Sequence, residues 1–324
     1  MVQEAAQKGF KTYSLTEHCP RWREEDLYPE EIEKVTITDL IWKLLDLGLG
    51  YVYGYTKANV KPSDLLVTFE AFLDEAQRLK RSYAESGNRM EVLVGMETEH
   101  IYEEDLTPLK RLVDQHRGRI DFLVGSVHHA GGHPIDFSKE RFEEALRWYE
   151  STLDEATRAK EGEGVESTAL SNLLEAYFRA QRRMMEALHP EVIGHFALPL
   201  LFTPSTRLES HPTAYVLARG NIRYAIAYGA LFELSSAPFR KGWEEGWPGT
   251  ETLRMIVEEG GRFCLSDDAH KAEQVGLNYH RLKEWIVSVG VTREMVWRLH
   301  KPVEGGPLEK VGMSEEEWEL FGKA

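Results

Sequence analysis

Histidine and carboxylate side chains gather just after particular apolar runs of this 324-residue sequence. Thr16-Glu17-His18 follows Lys11 to Leu15, Glu97-Thr98-Glu99-His100 follows Val92 to Met96, and His128-His129 follows the run Phe122 to Val127. His195 comes directly after Val192 to Gly194, and Asp267-Asp268-Ala269-His270 comes after Phe263 to Leu265. A single histidine in such a place is more often a loop or core residue; five runs ending alike point to a shared site. Neutral imidazoles mixed with carboxylates suit zinc, iron or manganese, and several of each are typical of a multinuclear centre that activates water. Asp268 and His270 stand on alternate residues, which point the same way when the chain is extended. Basic groups that could grip a phosphate are few. Arg240 and Lys241 follow the run Leu231 to Leu234 in LSSAPFRKGW, and Arg21 lies three residues past His18; a guanidinium binds phosphate oxygens in a two-pronged fork.

The elements that must position these residues are legible as six short β-rich runs separated by longer stretches with apolar residues at three- and four-residue spacing, such as Thr68 to Ala84 and Ser171 to Leu188. Near-continuously apolar strands alternating with helices indicate a parallel sheet covered on both faces, hence a barrel or a doubly wound sheet. In both, active sites assemble at the C-terminal ends of the strands, where the metal-ligand residue types fall. The length suits a single large α/β domain over 1–324. Its 39 basic and 54 acidic residues leave a net charge of −15, which repels polyanions and argues against a nucleic-acid partner. Cys19 and Cys264, the only cysteines, are too few for a disulfide framework and fit a reducing, cytoplasmic setting. No apolar run reaches the roughly 18 residues of a membrane span. Met1 to Lys8 reads as the middle of an amphipathic helix. Segment 36–62, apolar and dotted with glycines, reads as an inserted helix and hairpin, Glu161 to Glu166 as a solvated loop, and Ser314 to Gly322 as a short capped helix within a C-terminal extension, 301–324.

With these residues in hand the chain resembles the histidinol-phosphate phosphatases of the polymerase-and-histidinol-phosphatase (PHP) superfamily, particularly the fungal ones. The matching stretches are LTEHCPR with EEDLYPEE, VGMETEH, DFLVGSVHH with PIDFSKE, VIGHF, YGALFELSSAPFRKGW, LSDDAHKAEQVGLNYHRL and VWRLHKP. The resemblance implies a distorted seven-stranded (β/α) barrel with three divalent metal ions at its C-terminal face. By motif, the metal ligands carried over are His18, Glu97, His128, His195, Asp268 and His270, with Arg240, Asp268 and His270 as catalytic groups. Arg240, Lys241 and Arg21, singled out above from the residues, are the candidate phosphate contacts. The family's remaining ligands lie on a first strand upstream of the helix with which this sequence opens. A six-stranded wall and fewer than three ions are therefore expected here. The family commonly has an acidic and then a basic residue after its GHF, whereas Ala197 to Phe202 reads ALPLLF. The implied reaction is hydrolysis of a small phosphate monoester, L-histidinol phosphate, in histidine biosynthesis. The alternative is a degenerate noncatalytic relative that still binds metal or phosphate. Oligomeric state is left open.

Overall fold

The computed structural model describes residues 1–28, 60–153, 168–302 and 306–323. The expected helix and hairpin of 36–62 fall outside the described residues up to 59, as does the loop at Glu161 to Glu166. All six apolar runs form strands: β1 (Thr12–His18), β2 (Glu91–Glu97), β3 (Phe122–Gly125), β6 (Val192–Ile193), β7 (Leu231–Ser235) and β8 (Phe263–Ser266). They make one parallel sheet in the order β1-β2-β3-β6-β7-β8. A doubly wound sheet reverses its strand order partway. Here the order never reverses, so the sheet is the wall of a barrel.

Helices cross between the strands: α1 (Val2–Gln7) before β1, α2 (Pro62–Glu85) before β2, α3 (Leu106–Gln115), α4 (Lys139–Ser151), α5 (Thr168–Leu188), α6 (Pro212–Tyr228), α7 (Ala237–Arg240), α8 (Thr250–Glu258) and α9 (Tyr279–Val289). In α5, Leu170, Leu173, Leu174, Tyr177, Phe178, Met184 and Met185 are all buried, the three- and four-residue spacing of a helix laid on a sheet. A proline at the first turn of α2, where its missing N–H is no loss, starts that helix six residues before its apolar stripe suggests. Inside the wall, Leu93, Phe122, Val192 and Leu231 from successive strands pack with Leu299.

Leu299 belongs to a C-terminal hairpin, β9 (Trp297–His300) with β10 (Glu309–Gly312), followed by α10 (Glu315–Phe321). Ser314 and Glu317 cap α10 reciprocally, as the sequence predicts. The hairpin closes the foot of the wall: Val296 bridges Phe263 of β8, the Arg298 guanidinium reaches Thr12 Oγ1 of β1 at 3.3 Å, and His300 meets Glu91 at 2.9 Å. Above it, β1 and β8 are the two edges of the sheet, and residues of both line one cavity of about 500 Å³. Among the described residues no helix is long and apolar enough to cross a membrane.

Candidate metal centre

Register decides which ligands meet. β1 runs three residues past its apolar run, pairing in parallel with β2 so that His18 lies directly across from Glu97. β3 ends early, at Gly125, and the chain leaves the sheet through Ser126, whose N–H is taken by Thr98 Oγ1 at 3.0 Å. His128 stands on that turn, ahead of a small hairpin of β4 (His129–Ala130) and β5 (His133–Pro134). His195 follows β6 and has φ +44°, in the left-handed region that non-glycine residues seldom occupy.

Three imidazoles converge on one carboxylate. Glu97 Oε1 is 3.0 Å from His195 Nε2 and 3.5 Å from His128 Nε2, while its Oε2 is 3.7 Å from His18 Nε2. The donor atoms of His18, Glu97 and His128 all lie within 4.8 Å of one another. A tetrahedral ion with arms of about 2.1 Å separates its ligands by about 3.4 Å, so this donor set fits a divalent cation. Burial raises the Glu97 carboxyl, but the charge of His18 and hydrogen bonds from His128 and His195 outweigh it and hold the group well below the usual carboxylate range.

Asp268 and His270 line the same cavity from β8 but stand outside this cluster. The chain there is not extended: Asp268 has φ +46°, so the alternate-residue argument for a shared direction fails. The two side chains nevertheless lie 3.8 Å apart, with His270 Nδ1 2.9 Å from the Asp268 carbonyl. Burial, with Glu97 and Glu233 nearby, raises the Asp268 carboxyl against the pull of His195 and His270.

The basic residues are placed unevenly. Arg240, at the end of α7, donates to the carbonyls of Asp267 and Asp268, the second at 2.8 Å, and so grips the β8 loop. Lys241 is exposed. Arg21, the third candidate phosphate contact, is 2% exposed, its guanidinium 3.0 Å from Glu99 and stacked over Tyr28 at 4.2 Å. In this arrangement it pairs with Glu99. Burial pushes the Cys19 thiol up, which leaves it no thiolate character for nucleophilic attack.

Sequence reasoning named Glu99 among the residues after β2 without giving it a role, and missed Glu233. These two, 3% and 6% exposed, contact the far ring nitrogens of His128 and His195. A signal existed for Glu233: it is the lone carboxylate in an otherwise uncharged strand, LFELS, all of whose residues are buried.

A parallel wall presenting histidines and carboxylates at the C-terminal ends of its strands defines a barrel with a candidate metal centre, and residues 1–237 match the PHP domain. The chain is 37% identical over 295 residues to the probable histidinol-phosphatase of Schizosaccharomyces pombe, covering 90% of this chain and 81% of that protein. It is 30% identical over 314 residues to the histidinol-phosphatase of Saccharomyces cerevisiae, covering 89% and 82%. The chain belongs to the histidinol-phosphatases of the PHP family. A solved histidinol phosphate phosphatase from Lactococcus lactis, complexed with zinc, L-histidinol and phosphate, is 16% identical, with a TM-score of 0.49 over 90% of this chain and 86% of that one.

Proposed function

We propose that this chain hydrolyses L-histidinol phosphate to L-histidinol and phosphate, using divalent metal held by His18, Glu97, His128 and His195. The observation that carries this reading is the convergence of three imidazoles on Glu97 in a chain of this family. Zinc, iron and manganese all suit the donor set. Held by these residues, a divalent cation would supply positive charge to the phosphoryl oxygens and would lower the pKa of a bound water.

The chain's own residues do the rest. The three imidazoles orient their Nε2 atoms on Glu97, whose two oxygens face different histidines. Asp268 and His270 flank the opposite side of the cavity and extend the ligand set from β8. Arg240 fixes their loop through two carbonyls, and its remaining N–H donors serve a phosphate oxygen; Lys241 adds charge at the rim. The local positive charge offsets a surface that is negative overall, so a small phosphate monoester is admitted where a polyanion is repelled. The reaction belongs in the cytoplasm, where Cys19 and Cys264 stay reduced.

Phosphate release from L-histidinol phosphate, measured with the metal-depleted chain before and after adding zinc or manganese, tests this reading. Metal-dependent release is expected, falling more than about a hundredfold in Glu97→Ala, beyond the loss of a merely supporting residue. Absence of release with metal bound would favour the noncatalytic relative, and full activity of Glu97→Ala would remove the metal assignment.

A further inference from the structure

Two buried carboxylates lie outside the proposed ligand set, and each stands behind one of its histidines. Glu233 comes from the middle of β7. Its Oε2 is 2.8 Å from His195 Nδ1 and also accepts the His195 backbone N–H at 2.8 Å. One oxygen therefore holds both the ring and the left-handed backbone of the same residue, a conformation that needs such support. Glu99 has its Oε2 3.0 Å from His128 Nδ1 and from the Arg21 guanidinium, with its other oxygen 3.2 Å from His129 Nδ1.

We infer that Glu233 is a positioning residue that fixes the tautomer and direction of His195 for cation binding, with Glu99 doing the same for His128. An ionised carboxylate only accepts hydrogen bonds, so the Nδ1 facing Glu233 carries a hydrogen and Nε2 is the nitrogen left for a cation. Nε2 faces Glu97 Oε1 at 3.0 Å. Between the two stands either a proton that His195 shares with Glu97 or the cation that replaces it, and Glu233 thereby prepares the position. Holding a carboxylate away from water is costly, and a structural filler in a barrel wall needs no charge. Glu99 has Arg21 to balance it; among the described residues, Glu233 has no lysine or arginine partner. A carboxylate bonded to the far nitrogen also makes a histidine a better electron donor to a metal.

The inference rests on the reading of His195 as a metal ligand, and zinc binding to the metal-depleted full chain tests both. Zinc affinity is measured by competition with a chromophoric chelator for the wild type, Glu233→Gln, His195→Ala and the double variant, with circular dichroism confirming that each is folded. Glu233→Gln keeps the shape of the side chain and is expected to weaken zinc about tenfold. In the His195→Ala background the same change should alter affinity less than about twofold, because its effect passes through the missing ring. Equal weakening in both backgrounds, or none in the wild type, overturns the positioning role while leaving the site standing. Unchanged zinc affinity in His195→Ala overturns the ligand reading and the inference together.

Discussion

Glu97 stays ionised with only 15% of its side chain exposed because the imidazoles of His18, His128 and His195 surround it. Arg240 is held by shape as well as charge. Its fork spans two successive carbonyls of the β8 loop, a geometry that the single nitrogen of lysine cannot copy. Arg240→Lys is expected to lower kcat/KM for histidinol phosphate by about tenfold, the size of one lost charged hydrogen bond. Equal kcat/KM in this variant would show that the loop holds its shape without the fork. The six proposed ligand positions were named in the sequence by family motifs that stand where apolar runs end. The roles of their partners were not, since Glu99 and Glu233 act across distances of 29 and 38 residues along the chain.

Among elements, β6 is the shortest strand of the wall and the one on which His195 depends. Gly194, directly before that histidine, has no room for a side chain: a Cβ would lie 2.5 Å from Ser126 Oγ and 2.8 Å from a Val124 methyl. Gly194→Ala must push β6 away from β3 and shift His195 with it. A stability loss of about 1–3 kcal/mol is expected from the overpacking, with weaker zinc binding, read by thermal melting and chelator competition. Normal zinc affinity in the melted-down but folded variant would mean that the β3–β6 spacing does not set His195. The six runs were readable as strands from their apolar residues, but their ends were not. β1 extends to His18 because β2 offers it a partner over seven residues, and β3 stops at Gly125 where Ser126 turns to Thr98.

Across the whole molecule, stability and chemistry are anchored at opposite ends of the barrel. Asp121, just before β3, has its side chain buried between the ammonium groups of Lys80 and Lys301, at 2.6 and 2.7 Å, and accepts the Val94 N–H at 2.9 Å. Burial raises its carboxyl, but the bonds from Lys301, Lys80 and Val94 outweigh that and depress it. A carboxyl depressed by folding stabilises the protein above its unfolded value of about 3.9 and loses that contribution as pH falls through the folded value. Asp121→Asn should therefore cost about 3 kcal/mol at neutral pH and flatten the loss of stability on acidification below about pH 4. Urea melts across that range check both, while turnover per folded molecule should stay unchanged, since Asp121 lies at the far end of the strands from the histidines. A variant that lost activity without losing stability would contradict this separation.

The sequence by itself determined the strands, their helical crossovers and the residue types at the strand ends, because apolar periodicity and ligand chemistry are written locally. Tertiary structure alone decided which ligands face Glu97, that Arg21 is enclosed by Glu99 and Tyr28, and that Asp268 turns through the left-handed region. Those outcomes follow from inter-strand register and from buried charges choosing partners on neighbouring strands. A chain's periodicity carries no record of either until the sheet has curled.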